Sequence, residues 1–249
     1  MIGDKMKKRI ISLVSCLAVL LAAFAFVGCE EEEKNDDWKD DMYLKLVNKS
    51  NPAGEEFIPE GLVPIDTAYT TGGKSIELEE KTAAAVISML DAMKSDGIDN
   101  VTVTSAYRTY QYQEKLFNGY IEKEKAAHPD WSDEEVKNFV LTYSAAPGTS
   151  EHQTGLCVDL FTNEMEGLYN YGSETPNNPY DKGFAETAAF EWLSKHAHEY
   201  GFILRFPEDK TEITGYSYES WHYRYVGVEH AKKIHEEGIT LEEYLENGK

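Results

Sequence analysis

Two short segments, far apart in the chain, carry the residues that most restrict how this sequence can fold. The first contains His152 and Asp159, and the second, about sixty residues later, contains Glu219 and His222. Two imidazoles and one carboxylate that leave a fourth position open form a ligand set typical of catalytic zinc. The fold must therefore bring both segments together, and the working hypothesis is a zinc peptidase with a second carboxylate beside the metal.

Each segment alone is only a weak indication of a metal site, and the second segment requires a turn in the backbone. A histidine followed seven residues later by an aspartate also arises from a surface histidine and a loop-capping aspartate. Glu219 and His222 are three residues apart, so in an ideal strand their side chains would face opposite sides. If both serve one metal centre, the chain has to turn near Glu219 before the strand begins, and the polar segment 214–217 is compatible with such a turn.

Residues 155–161 are predicted to form a strand with two distinct faces. Alternation puts Leu156, Val158 and Leu160 on one face, and Cys157, Asp159 and Phe161 on the other. Cys157 is the only cysteine after residue 41, so a disulfide within the domain is excluded. Its expected role is that of a small, buried apolar residue.

Helical spacing, capping residues and β-branched runs predict the remaining elements. Strands are expected at 101–105, 202–206 and 221–226, and helices at 77–95, 110–126, 132–143, 185–200, 228–237 and from Leu241. Residues 50–75 read as an irregular segment with short extended pieces, and residues 163–182 as a long loop. Helices and strands intermix without regular βαβ alternation, which favours an α+β fold: a small, mainly antiparallel sheet with flanking helices.

The net charge of −21 excludes attraction to nucleic acid or to anionic lipid by charge. Hydrophobic residues make up 41% of the chain and aromatic residues 12%, which is typical of a folded domain. We expect a monomer that binds no nucleic acid.

The N-terminal region has the pattern of an export signal. A basic stretch (Lys5, Lys7, Lys8 and Arg9) precedes an uncharged run at 10–27, and Gly28-Cys29 then leads into four glutamates. The end of this run resembles a bacterial lipoprotein cleavage box, in which Cys29 becomes the lipidated first residue. We therefore predict a signal peptide at 1–28, an acidic tether at 29–41 and one domain at 42–249. A retained transmembrane anchor or plain secretion are the alternatives, and all three place the domain outside the cytoplasm.

Several motifs, in order, resemble one enzyme family. The motifs are Ser150-x-His152-x-x-Gly155-x-Cys157-x-Asp159, Glu219-x-Trp221-His222, and the stretches 46–49, 105–109 with Gln113, and 200–207. Together they are similar to the zinc D-alanyl-D-alanine carboxypeptidases of the VanY type, over residues 43–245. This resemblance implies the fold shared by VanX-type dipeptidases, lysostaphin-like enzymes and the Hedgehog signalling domain. One departure is Cys157, where the family usually has alanine; the alternative to a packing role is that its thiol competes as a metal ligand.

Residue roles follow from the resemblance. It implies that His152, Asp159 and His222 bind one Zn²⁺ per chain, and that Glu219 is the general base and then the general acid. Arg108 matches the family's arginine; a guanidinium suits a substrate carboxylate or the oxyanion. We expect Gln113 and Ser150 to assist Arg108 in substrate binding.

The resemblance implies an exported carboxypeptidase that removes C-terminal D-Ala from peptidoglycan stem peptides, held at the membrane through a lipid on Cys29. The D-Ala-D-Ala end is favoured. An L,D-carboxypeptidase acting on tetrapeptide stems and a peptidoglycan endopeptidase are alternatives. A zinc-holding module that binds wall peptide without cleaving it is a further alternative, which the presence of Glu219 disfavours.

Overall fold

The computed structural model describes residues 41–165 and 180–248. The predicted signal peptide and nearly all of the tether lie outside these residues, as does most of the predicted loop at 163–182. No helix within the described part of the chain is both long and apolar enough to cross a membrane.

The centre of the domain is a four-stranded antiparallel sheet. In chain order the domain contains β1 (Leu62–Pro64), β2 (Glu77–Glu79), β3 (Val101–Ser105), β4 (Cys157–Thr162), β5 (Phe202–Leu204) and β6 (His222–Tyr225). The sheet order is β3-β4-β6-β5 with every pair antiparallel, and β1 and β2 form a separate antiparallel pair. The expected α+β class with a mainly antiparallel sheet is confirmed.

Eight α-helices accompany the sheet in the described residues. They are α1 (Glu80–Ser95), α2 (Tyr110–Ala127), α3 (Asp133–Val140), α4 (Tyr180–Ala185), α5 (Ala188–His196), α6 (Thr211–Thr214), α7 (Val228–Glu237) and α8 (Leu241–Asn247). Local chemistry sets several of their starts. The predicted capping box is present, because Ser132 and Glu135 satisfy each other's backbone N–H groups at the start of α3.

Some element boundaries differ from the predictions. Residues 77–79, expected in a helix, form β2 because they pair with β1, and the buried Leu78 joins the core. The Glu79 side chain then accepts from the backbone N–H of Thr82 and starts α1 three residues late. The predicted helix 185–200 is divided into α5 and a 3₁₀ segment, Ala197–Tyr200. The predicted loop 163–182 in fact contains the first residues of α4.

The core lies on one face of β4, as the alternation predicted for Val158 and Leu160, but Phe161, expected on the opposite face, is half-buried and also packs against this core. Val158 and Leu160 are buried there with Val103, Met89 and Phe202. The opposite face of β4 is consequently left to Cys157 and Asp159.

Gly155 sets the approach to β4. It has φ 70° at the end of the 3₁₀ turn Glu151–Thr154, a conformation that disfavours side chains. A Cβ there would also lie 3.0 Å from Leu62 Cδ2 and 3.3 Å from the backbone nitrogen of Glu79. Glycine therefore lets the turn that carries His152 pack directly against β1 and β2.

Candidate active site

The register of the sheet assembles the predicted site. Asp159 on β4 is paired with His222 at the start of β6, and with Ser105 at the end of β3 on its other side. Arg108 follows β3 by three residues, and its backbone N–H donates to the carbonyl oxygen of His152. Hydrogen bonding between strands that are distant in sequence thus brings both segments to one place, as the ligand hypothesis required.

The two histidines are held so that one nitrogen of each ring faces Asp159. His152 Nδ1 lies 2.6 Å from the carbonyl oxygen of Ala106, which fixes the proton on that nitrogen, and Nε2 lies 3.2 Å from Asp159 Oδ2. His222 Nε2 lies 2.8 Å from Glu151 Oε1, and Nδ1 lies 2.8 Å from Asp159 Oδ1. An oxygen behind each ring is the usual way in which a metal-binding histidine is oriented.

These distances suit a zinc ion. With Zn–N and Zn–O lengths of about 2.0–2.2 Å, the ligand atoms of a tetrahedral site are about 3.3–3.5 Å apart. The ring nitrogens of His152 and His222 are 3.2 and 2.8 Å from the oxygens of Asp159. These two separations are slightly shorter than those of a zinc site, and all three side chains are buried at the same place. The residues present therefore fit zinc.

Cys157 contacts this cluster from the same face of β4. One ligand atom from each of His152, Cys157 and His222 lies within 4.8 Å of the others. The cysteine is fully buried, as its expected packing role required, but its neighbours on this side are polar.

Glu219 lies beside the ligands with its carboxylate 3.6 Å from His222 Nδ1, and 20% of its side chain is exposed. The backbone turns between these residues, because the His222 N–H donates to the carbonyl oxygen of Glu219 and β6 begins only at His222. The predicted turn is thus present. Burial, reinforced by the charge of Asp159, raises the pKa of Glu219 to about 7 despite the opposing effect of His222.

Arg108 is fixed at the edge of the site. Its Nη2 donates to Asp159 Oδ2 over 2.7 Å, its Nε to Ser105 Oγ over 2.9 Å, and its Nη1 to Gln113 Oε1 over 3.4 Å. Gln113 in turn donates to the carbonyl oxygen of Ala145 over 2.8 Å. Gln113 therefore holds the guanidinium against the loop that follows α3.

A cavity of about 160 Å³ opens onto these residues. Arg108, Gln113, Ser150, Glu219 and the three expected metal ligands all line it. Its aromatic walls are formed by Tyr120, Tyr143, Phe206, Tyr216 and Trp221. Every residue predicted for the site of the domain therefore faces one space; Cys29, the predicted lipidation site, lies outside the described residues.

The sequence did not point to Glu151, which supports the site from behind. Its Oε1 faces His222 Nε2, while Oε2 accepts from Arg205 Nε over 2.8 Å and Arg224 Nη1 over 3.3 Å. Burial opposes ionisation, but Arg205, His222 and Arg224 hold the pKa of Glu151 well below its usual range. Glu242 binds Arg205 through both oxygens, 2.7 and 2.9 Å away, so that two carboxylates, Glu151 and Glu242, balance the two positive charges of Arg205 and Arg224. One signal was available: Arg205 interrupts the otherwise apolar run at 202–206, where a buried charge needs a partner.

Known proteins resemble the chain along most of its length. Residues 75–228 match the family profile VanY, D-alanyl-D-alanine carboxypeptidase. A D-alanyl-D-alanine carboxypeptidase of Enterococcus faecalis is 33% identical over 220 residues, which are 88% of this chain and 70% of that protein.

Two solved structures share the fold. One is a mutant of the VanY D,D-pentapeptidase from a VanB-type resistance cassette, in complex with Zn(II). It is 34% identical, with a TM-score of 0.63, and the match covers 82% of this chain and 99% of that chain. The LD-carboxypeptidase LdcB has a TM-score of 0.67 and 32% identity, with 82% of this chain and 86% of that chain covered.

The fold and the convergent histidines, aspartate and glutamate define a metallopeptidase. More particularly, the chain belongs to the VanY family of D-alanyl-D-alanine carboxypeptidases; the VanY neighbour binds Zn(II), and the residues present here fit the same ion. The expected enzyme class, fold and cofactor are confirmed.

Proposed function

We propose that this enzyme hydrolyses the last peptide bond of peptidoglycan stem peptides that end in D-Ala-D-Ala, and releases a single D-Ala. The observation that carries the proposal is the convergence of His152, Asp159 and His222 with Glu219 and Arg108 at one cavity. The name of the Enterococcus faecalis relative and the D,D-pentapeptidase activity of the VanY neighbour support the same substrate.

His152, Asp159 and His222 would hold the zinc. When bound, zinc polarises a carbonyl oxygen and lowers the pKa of its water to about 7. Asp159 is already ionised for this role, because the neighbouring histidines and Arg108 overcome the effect of its burial and hold its pKa well below the usual range. Ala106 and Glu151 keep the proton of each imidazole on the nitrogen that faces away from Asp159.

Glu219 would act as the base that takes a proton from the attacking water, and then as the acid that gives it to the leaving amine. Its carboxylate lies beside His222, and only part of the side chain is exposed. In the metal-free protein its pKa is raised to about 7, towards the range in which a group can both accept and donate a proton near the operating pH.

Arg108 gives the site its preference for a chain end. Its guanidinium faces the cavity and is fixed by Ser105, Gln113 and Asp159, so it offers a pre-positioned positive charge at little cost in side-chain entropy. We assign it to the terminal carboxylate of the substrate. Gln113 positions Arg108, and Ser150 completes the wall of the cavity on the side of His152.

Defined stem peptides test the proposal. Purified protein is incubated with pentapeptide and tetrapeptide, with and without a chelator, and the products are identified by mass spectrometry. We expect loss of one D-Ala from the pentapeptide, suppressed by the chelator and restored by added zinc. Release of a dipeptide instead would contradict a carboxypeptidase and indicate an endopeptidase.

The L,D-carboxypeptidase activity is a second candidate, favoured by the similarity to LdcB. It predicts that the tetrapeptide loses its D-Ala faster than the pentapeptide does. The ratio of kcat/KM for the two peptides therefore decides between the candidates.

We also propose that the enzyme is exported and anchored to the membrane through a lipid on Cys29, as a monomer. The basic stretch, the uncharged run at 10–27 and the small residue before Cys29 support this. Metabolic labelling with a fatty acid in a bacterial host should mark the wild type and leave Cys29→Ser unlabelled. Equal labelling of both would contradict the proposal.

A further inference from the structure

Residues 46–49 form one of the motif stretches but supply neither a metal ligand nor a catalytic group. Val47 lines the cavity, whereas the side chain of Lys49 connects two other parts of the chain. Its Nζ donates to the carbonyl oxygen of Leu141 over 3.0 Å and to the carbonyl oxygen of Gly215. These acceptors lie 92 and 166 residues further along the sequence, so one ammonium group joins three distant segments.

A third contact fixes the Lys49 ammonium. It lies over the ring of Tyr216, 4.6 Å from the ring centroid, where the π electrons attract a cation. A lysine ammonium is otherwise a strongly hydrated point charge on a flexible stem. Two carbonyl oxygens and one aromatic face therefore hold this ammonium in one place.

The two segments that Lys49 joins both serve the active site. In the loop 141–149, the carbonyl oxygen of Ala145 accepts from Gln113, the residue that holds Arg108. The segment 214–219 ends at Glu219, the proposed base. The contacts of Lys49 thus connect the wall that supports the chain-end charge to the segment that presents the base.

Two further hydrogen bonds join the same segments. The Tyr216 hydroxyl donates to the carbonyl oxygen of Thr149 over 3.0 Å, and Ser217 Oγ donates to the carbonyl oxygen of Thr142 over 2.9 Å. Residues 215–221 lie between α6 and β6, outside helix and strand. The path of the backbone before the base therefore depends on contacts with the loop 141–149 rather than on a regular hydrogen-bond ladder.

We propose that Lys49 is a positioning residue for the general base: by tying the segment 214–219 to the loop 141–149, it holds the Glu219 carboxylate at the reacting bond. The inference rests on the proposed function, which makes Glu219 the base. The described residues that line the cavity do not include Lys49, so its ammonium acts on catalysis only through the segment that it holds. Precise placement matters because a shift of about 1 Å in a reacting group can cost about 10²-fold in rate.

Lys49→Met tests this role in the full, zinc-loaded chain, since methionine keeps an unbranched stem and removes the donors. On the D-Ala-D-Ala pentapeptide we expect kcat to fall about 10–100-fold, with KM within about twofold of wild type, because a group that acts in the transition state is misplaced. Metal analysis should still find one zinc per chain. Lys49→Arg should recover most of kcat, because a guanidinium can also donate to two carbonyl oxygens.

Lys45→Met is the matched control. Lys45 belongs to the same N-terminal stretch and also places its ammonium over an aromatic ring, 4.8 Å from the centroid of Phe57, away from the two joined segments. We expect its kcat to equal that of the wild type. Ser217→Ala removes one parallel link and should lower kcat by a smaller factor in the same sense, which keeps the inference testable if Lys49→Met fails to fold.

A double-mutant cycle with Glu219→Ala shows whether Lys49 acts through the base. If it does, Lys49→Met should lower the residual rate of Glu219→Ala by no more than about twofold, because two residues that work as a unit are not additive. An equal loss in both backgrounds, a raised KM with unchanged kcat, or loss of zinc would overturn the role. An active wild type with unaffected Lys49→Met rejects this role alone, whereas a wild type that releases no D-Ala rejects the proposed function and this role with it.

Discussion

Replacing Glu151 by glutamine should weaken zinc binding although Glu151 does not belong to the expected ligand set. One oxygen of Glu151 faces the His222 ring and the other accepts from Arg205 and Arg224. A glutamine offers only one oxygen. Its amide NH₂ must then face either the His222 ring or the two guanidinium groups, and in both cases donor meets donor.

The structure sets the size of the effect. The side chain of Glu151 is 2% exposed and that of Arg205 is fully buried, so water cannot replace the lost acceptor. One unsatisfied buried donor in a charged network costs about 2–4 kcal/mol of folding stability. Loss of a group that orients a metal-binding histidine typically lowers metal affinity about 10–100-fold, or roughly 1.4–2.7 kcal/mol.

Glu242→Gln is the matched control. Glu242 accepts from the same Arg205 through both oxygens and from Asn48, but it does not contact His222. It should therefore destabilise the metal-free protein by a similar amount and leave the zinc affinity near that of the wild type.

Two measurements separate these effects. Denaturant unfolding in the presence of chelator gives the stability of the metal-free protein, and competition with a chromophoric chelator gives the zinc Kd. If Glu151→Gln leaves the zinc Kd within twofold of wild type, or if both variants weaken zinc equally, Glu151 does not orient His222.

Three further predictions concern the site. Glu219→Ala should lower kcat on the D-Ala-D-Ala pentapeptide about 10²–10⁴-fold, because proton transfer is lost, while metal analysis should still find one zinc per chain. Retained activity would show that another group is the base. Arg108→Ala should lower kcat/KM about 10–100-fold for a peptide with a free C-terminus, because a charge-assisted hydrogen bond is removed, and an equal loss on the C-terminally amidated peptide would assign Arg108 to the oxyanion. The third prediction concerns the metal-free protein. Burial and Arg108 lower the pKa of His152, but the opposing effects of Asp159 and Cys157 are larger and raise this pKa to about 9. The pKa of His222 is also raised, because the effects of Cys157 and Asp159 outweigh that of burial. Zinc must displace these protons at pH 7, so the affinity of the protein for zinc should rise from pH 6 to pH 9, with release of roughly one to two protons per zinc. Calorimetry in buffers of different ionisation enthalpy measures the number of protons released. A number near zero would contradict the raised pKa values.

Local sequence chemistry determined much of the fold. The β-branched run gives β3 at its predicted bounds, the helix at 228–237 begins and ends as expected, and the Ser132–Glu135 capping box starts α3. Alternation along 155–161 placed Cys157 and Asp159 opposite the core, which the structure confirms. These features depend on residues within a few positions of one another, where spacing and propensity decide.

The residue types of the site were also evident from the sequence, together with the requirement for a turn before His222. Their joint role became specific only through motif resemblance, because a histidine and an aspartate seven residues apart also occur together by chance. Helix starts differ from the predictions where tertiary pairing competes with local preference, as at 77–79, where β2 replaces the first turn of an expected helix.

Only the tertiary structure determined which side chains support the ligands. Glu151 meets Arg205 and Arg224 across 54 and 73 residues of sequence, and no local pattern encodes such a partnership. The same is true of Arg108 and Asp159, 51 residues apart. The sequence determined that this chain carries the donors for a zinc site. The antiparallel pairing of β3, β4 and β6 decided their orientation, because each buried charge is stabilised by groups from distant segments that only the folded sheet brings together.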